Sequence, residues 1–200
     1  MPEDSRIEAM RLIVEEIRNC RKCGLWKGRR NTVPGEGSLS PLAVFIGEAP
    51  GYWEDVKGRP FVGAAGRLLE ETLLGVGLSR EDVYITNILK CRPPGNRDPR
   101  PEEVKACTPF LDRQLELMRP EVIVTLGRHS AMYMLSKAGY MVSGITAVRG
   151  KIYRARFWGT EVHILPTFHP AAALYNVRLK EYLERDFRLL REELERLGLI

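Results

Sequence analysis

The stretch LAVFIGEAPG, Leu42 to Gly51, sets five apolar residues directly before a small, acidic loop broken by Pro50. Five residues are too few for a helix with a buried face, and Val44, Phe45 and Ile46 favour extended chain. The run therefore reads as a buried strand that empties into a loop. Three further runs have the same build: Val83 to Ile88, Val122 to Leu126 and Val162 to Leu165. Between them, apolar residues recur at helical spacing over about 64–76, 101–118 and 128–138. Strands alternating with helices imply right-handed crossovers. They predict an α/β fold, a three-layer α/β/α sandwich around a central, mainly parallel four-stranded sheet.

Outward from this centre, Ile7, Met10, Ile13, Val14 and Ile17 predict an amphipathic helix from residue 4 to about 19, ending at the first cysteine. The segment RGKIYRARFWGTEVHILP reads as a hairpin turning at Gly159, followed by a charged helix from about Arg178 to Leu197. With 200 residues, 44% of them hydrophobic, and no repeat or linker, one domain spanning 1–200 is expected.

No apolar run approaches the roughly 18 residues of a membrane span. The opening MPEDSRIEAM carries acids where a signal peptide carries bases, so a cytoplasmic protein without a membrane partner is expected. The net charge of +5 suits a polyanionic partner but decides nothing alone. A single glutamine, Gln114, among many Glu, Lys and Arg fits the composition of heat-adapted proteins.

In an open α/β sheet, functional groups gather where loops converge over the carboxyl ends of the strands. Here those ends carry Gly47-Glu48-Ala49-Pro50-Gly51, Thr86-Asn87, Gly127-Arg128-His129 and Phe168-His169-Pro170. The four cysteines fall as Cys20-x2-Cys23, then Cys91 and Cys107. A reducing cytosol disfavours disulfides. A zinc ribbon normally offers two tight pairs and only one is present, whereas an iron-sulfur cluster can be gripped from scattered segments. Spacing leaves a cluster, a zinc site and four unliganded thiols all open.

Several motifs follow one another in a recognisable order: CRKC, GEAPG with Glu54-Asp55 after it, GRPFVGAAGRLL, YITNILKCRPPGNRDP, Cys107 and FHPA. From Cys20 to about Tyr175 the chain resembles the family 4 uracil-DNA glycosylases of thermophilic bacteria and archaea. The resemblance implies hydrolysis of the bond between uracil and deoxyribose in single- or double-stranded DNA, leaving an abasic site for base excision repair. It also implies a structural 4Fe-4S cluster held by Cys20, Cys23, Cys91 and Cys107, and a nucleoid-associated protein that could meet a sliding clamp or other repair proteins.

Chemistry sets what such a site needs. A base inside a duplex must be flipped out, at a cost of roughly a few kcal/mol, then stacked, read and helped to leave. By resemblance, Phe61 stacks on uracil, and Gly47 and Ala49 lie in the loop beside it. Asn87 can accept from uracil N3–H while donating to O4, provided its amide orientation is fixed by neighbours. His169 matches a histidine that hydrogen-bonds O2 as charge develops there. Glu48 is the expected catalytic carboxylate, steadying an oxocarbenium-like sugar or directing water. In the best-known uracil glycosylases that carboxylate stands one residue later, where this chain has Ala49. Glu54 matches a second acidic position, near uracil C5.

For DNA, Leu174 is the expected minor-groove wedge, with Tyr175 beside it, and Arg178, Arg92 and Arg149 are candidate phosphate contacts. Rival readings are a glycosylase of the same superfamily that prefers hypoxanthine, xanthine or mismatched thymine, a non-catalytic iron-sulfur DNA-binding module, and a zinc-binding module.

Overall fold

The four apolar runs do form parallel strands, buried throughout except for the half-buried Leu42 just ahead of the first, because both faces of the sheet are covered. The computed structural model describes residues 3–200, so Met1 and Pro2 of the acidic opening lie outside it. In chain order the strands are β1 (Glu36–Gly37), β2 (Ala43–Gly47), β3 (Val83–Asn87), β4 (Val122–Leu126), β5 (Tyr153–Phe157) and β6 (Thr160–Thr167). They form one sheet of order β1-β3-β2-β4-β6-β5. The inner pairs β3/β2, β2/β4 and β4/β6 are parallel, while β1 and β5 flank them antiparallel.

The sheet thus has six strands rather than four. β1 is two residues long and carries no apolar run that could announce it. β5 alternates between half-buried and exposed residues, as suits an edge. It pairs with β6 through the hairpin expected at Gly159. Trp158 and Gly159 form the turn, both with positive φ of 52° and 82°, a type I′ geometry that matches strand twist.

The helices are α1 (Glu3–Asn19), α2 (Tyr52–Lys57), α3 (Ala64–Leu74), α4 (Pro101–Met118), α5 (Arg128–Lys137), α6 (Ile145–Val148), α7 (Pro170–Ala173) and α8 (Val177–Arg196). Alternation along β2 builds the three layers. Val44 and Ile46 face a core formed with Met10, Ile13 and Ile17 of α1, Phe110 and Leu111 of α4 and Leu135 of α5. Ala43 and Phe45 face the other core, with Leu69 and Leu73 of α3 and Leu183, Phe187 and Leu190 of α8. The short helices α2, α6 and α7 were not expected, because each is too brief to show a helical period; Pro170 starts α7 at the position that tolerates proline. Among the described residues, no helix is long and apolar enough to cross a membrane.

Register brings the strand ends together. Gly47 lies opposite Asn87 across β2/β3, and Leu126 opposite Thr167 across β4/β6. The loops that follow all open on one edge.

Candidate active site

At that edge a cavity is lined by Glu48, Ala49, Glu54, Phe61, Asn87 and His169, with Pro50, Pro93, Arg97 and Ala171 around its mouth. Gly47 is not in this lining but packs against two of its members, Asn87 and Phe61. A Cβ there would stand 2.3 Å from Asn87 Oδ1 and 2.8 Å from Phe61 Cζ, so a residue without a side chain is needed for both groups to approach.

Asn87 is 1% exposed, and its Oδ1 has no hydrogen-bond partner among the described residues. Buried polar atoms are almost always paired, and this one lies against Gly47, in a residue that lines the cavity, without a protein partner. Its main chain is firmly held, since the fully buried Lys90 donates from Nζ to the Asn87 carbonyl at 2.9 Å, to Thr86 Oγ1 at 2.5 Å and to Gln114 Oε1 at 2.8 Å.

Phe61 is buried in a left-handed conformation, φ 51°, which a bulky residue adopts only when its surroundings impose it. Arg80 supplies part of that constraint, donating to the carbonyls of Phe61 and Pro60 at 3.0 and 2.8 Å. Glu54 supplies the rest: Oε1 accepts from the backbone N–H groups of Val62 and Gly63, both at 2.9 Å, just ahead of α3. The sequence suggested Glu54 for the space near the base; its carboxylate is also the strut of the Phe61 loop.

The Phe61 ring stacks against His169, with centroids 5.4 Å apart and planes 27° apart. His169 Nδ1 accepts from Ala171 N–H at 3.1 Å, which puts the hydrogen of the neutral ring on Nε2. Burial pushes the His169 pKa down, partly opposed by the charges of Glu48 and Glu54, so the ring is a neutral donor at neutral pH.

Glu48 reaches toward β4. Its Oε2 lies 2.5 Å from Nδ1 of His129, and the Asp98 carboxylate is close by, with one ligand atom from each of the three residues within 4.8 Å of the others. Asp98 in turn pairs with Arg128 at 2.5 Å. His129 received no role from the sequence; the signal available was its place directly after the third parallel strand.

On the far side of Lys90, the four cysteines line one apolar pocket with Ile17, Leu25, Trp26 and Phe110. None of the four is joined in a disulfide. Arg29 Nη1 donates to Cys91 Sγ at 3.2 Å, and the Lys90 N–H donates to Cys107 Sγ at 3.2 Å. Burial raises the Cys23 and Cys91 thiols and pushes Cys107 up to about 12. Among the described residues, no three of these sulfurs lie within 4.8 Å of one another. A single tetrahedral zinc, with Zn–S near 2.3 Å, would hold its sulfurs about 3.8 Å apart.

The expected DNA contacts are scattered. Leu174 is half-buried and packs on the core beside α8, whereas Tyr175 is 95% exposed. Arg178 is exposed at the start of α8. Arg92 donates to Asn96 Oδ1 at 2.7 Å and lies over the exposed Tyr52 ring. Arg149 departs from expectation. It is turned inward, bound to Asp186 and to the Tyr182 carbonyl and stacked on the rings of Phe168 and Tyr182. Asp186 also accepts from Thr167 Oγ1 at 2.6 Å, so this pair braces the segment that carries His169.

Residues 34–194 match the family model described as the uracil DNA glycosylase superfamily. A type-4 uracil-DNA glycosylase of Saccharolobus solfataricus is 53% identical over 184 residues, covering 92% of this chain and 85% of the relative. One from Archaeoglobus fulgidus is 52% identical over 186 residues, covering 93% of this chain and 94% of the relative. A type-5 uracil-DNA glycosylase of Pyrobaculum aerophilum is more distant, 31% identical over 181 residues with 83% and 76% covered.

Proposed function

The chain belongs to the uracil DNA glycosylase superfamily, and on that premise we propose that it is a type-4 uracil-DNA glycosylase that excises uracil through the cavity at the strand ends. The observation that supports the site is the unpaired amide oxygen of Asn87, a buried acceptor without a protein partner in a residue that lines the cavity. Uracil N3–H satisfies it, while Asn87 Nδ2 donates to O4. Cytosine offers an acceptor at N3 and an amino group at C4, and meets the same amide with both polarities wrong.

Phe61 stacks on the flipped base, its ring set by the Glu54 and Arg80 contacts. His169 donates from Nε2 to O2, where negative charge gathers as the bond to the sugar breaks. A neutral donor suits that task, and removing one such donor typically costs roughly 2.7–4 kcal/mol of transition-state stabilisation. Glu48 faces the sugar side, steadies the oxocarbenium-like carbon and orients the water that attacks it. Outside the cavity, the exposed Tyr175 with Leu174 behind it offers the wedge, and Arg178 and Arg92 offer phosphate contacts.

Cys20, Cys23, Cys91 and Cys107 would hold a 4Fe-4S cluster, whose contribution is structural, tying α1 to the segment after β3 and to α4. The fit rests on two features: four sulfurs on one apolar pocket, and N–H donors aimed at two of them. Brown protein with iron-sulfur absorbance supports this reading, and colourless protein with stoichiometric zinc removes it.

The activity test is excision from single- and double-stranded oligonucleotides bearing uracil, followed by alkaline cleavage at abasic sites. Wild-type protein should cleave without added metal or nucleotide, and Glu48→Ala and Asn87→Ala should be slow. Full activity in both variants would remove the assigned site. Faster excision from deoxyinosine or thymine-mismatch duplexes would reassign the substrate.

A further inference from the structure

Glu48 follows β2 and His129 lies in the first turn of α5, just past β4. Because β2 and β4 are paired neighbours, their loops meet, and Glu48 Oε2 and His129 Nδ1 come to 2.5 Å. Both side chains are partly buried, 29% and 20% exposed, so the contact is not a fully solvated surface pair. A carboxylate has only acceptors, which places the hydrogen of this bond on Nδ1. Among the hydrogen bonds of the described residues none involves Glu48 Oε1, although Glu48 lines the cavity.

We propose that His129 is a positioning residue for Glu48: its Nδ1–H holds Oε2 and so leaves Oε1 fixed and available to direct water at the sugar. The inference rests on the reading of Glu48 as the water-directing carboxylate. A free glutamate side chain has three rotatable bonds, and holding it in one arrangement costs up to about 1.5–2 kcal/mol. That cost falls on every turnover unless a partner meets it in the folded protein. Here the need is sharper than usual, because the carboxylate stands one residue ahead of Ala49 on a longer side chain. More orientations are open to it than to an aspartate at the later place. His129 comes from the first turn of a ten-residue helix, so it is the more rigid member of the pair. Asp98, paired with Arg128, closes the other side of the contact.

Three substitutions test this. His129→Asn puts an amide nitrogen near the position of Nδ1, His129→Gln puts one near Nε2, and His129→Ala supplies neither. Single-turnover excision from a uracil duplex, affinity for an abasic-site duplex and thermal melting are measured for each. Ala and Gln should lower the single-turnover rate by about 10–100-fold, in the range typical of partners that orient a functional group, with duplex affinity little changed. Asn should recover most of the rate. In a Glu48→Ala background, His129→Ala should add no further loss, because the group it orients is gone.

Wild-type rate in His129→Ala, an undiminished further loss in the Glu48→Ala background, or Asn performing no better than Gln would overturn the proposal. The underlying reading fails differently. It falls if Glu48→Ala itself excises uracil at the wild-type rate, whereas a slow Glu48→Ala beside a fast His129→Ala removes only the role of His129.

Discussion

Lys90 Nζ donates to the main-chain carbonyl of Asn87 at 2.9 Å, while the backbone N–H of the same lysine donates to Cys107 Sγ at 3.2 Å. One buried residue therefore ties the sulfur pocket to the strand end proposed to read the base. The role proposed for Asn87 requires that its backbone does not shift, and Lys90 donates to its carbonyl.

Lys90→Met keeps the length and removes the donor. The acceptors on Asn87, Thr86 and Gln114 lose a partner worth about 1–3 kcal/mol, while removal of a buried ammonium without a carboxylate beside it acts in the opposite direction. Melting should therefore move little, and uracil excision should fall at least about tenfold, the equivalent of 1.4 kcal/mol at the strand end. Equal activity with a lowered melting temperature would mean that Lys90 serves only the core.

Gly47→Ala is the sharpest steric test of the cavity. The new methyl would stand 2.3 Å from Asn87 Oδ1 and 2.8 Å from Phe61 Cζ, distances that real contacts do not reach. Both groups must move, and both are assigned to the base. The expected outcome is loss of excision by about 100-fold or more with a stability cost near 1–3 kcal/mol, typical of overpacking. Single-turnover assays beside a denaturant titration separate the two effects.

Glu54 distinguishes a strut from a reactant. Its Oε1 accepts two backbone N–H groups that hold Phe61 in its left-handed conformation. Glu54→Gln keeps an acceptor there, whereas Glu54→Ala leaves both donors unpaired. Gln should retain activity within about threefold, and Ala should weaken both stability and uracil excision by roughly 1–3 kcal/mol. If Gln is as damaged as Ala, the charge of Glu54 matters to the reaction itself.

The parallel core of the sheet was legible because its strands are short apolar runs, and the gathering of their carboxyl ends at one edge followed from the same runs. The edge strands were not. β1 is two residues long and β5 alternates in exposure, so neither has a composition that sets it apart from loop. At the site, Phe61, Asn87, His169 and Glu48 fall together on one cavity because each ends a strand, closely follows one or lies in a glycine-flanked turn. His129 and Lys90 were missed for different reasons. A histidine opening a helix looks like any other, and a lysine near a strand end looks exposed until Gln114 and Thr86 are seen to enclose it. Arg149 shows the converse: an arginine at a loop suggests phosphate, whereas its pairing with Asp186, distant in sequence, is visible only in the fold.

At the opposite end of the sheet, α8 is fastened by a buried ion cluster, and this sets the acid limit of stability. Glu193 accepts from Arg196 at 2.7 Å and pairs with Nδ1 of the buried His163 on β6, and Glu161 meets His163 Nε2 at 2.9 Å. The Arg196 hydrogen bond first, then those from and the charge of His163, hold the Glu193 carboxyl down to about 2 from an ordinary 4.5, against the opposing effect of burial. A depressed carboxyl binds its proton less readily in the folded chain than in the unfolded one. Its stabilisation is therefore complete above pH 4.5 and is lost as the pH falls toward 2. Melting temperature should show no dependence from this group above about pH 5 and should drop between about pH 4.5 and 2. Glu193→Gln should melt lower at pH 7 and show a shallower acid slope, because the group that titrates is gone while α8 and β6 remain in place. An acid slope unchanged in Glu193→Gln would assign the loss of stability to other carboxylates, of which Glu103, held low by Arg97, is the next to substitute.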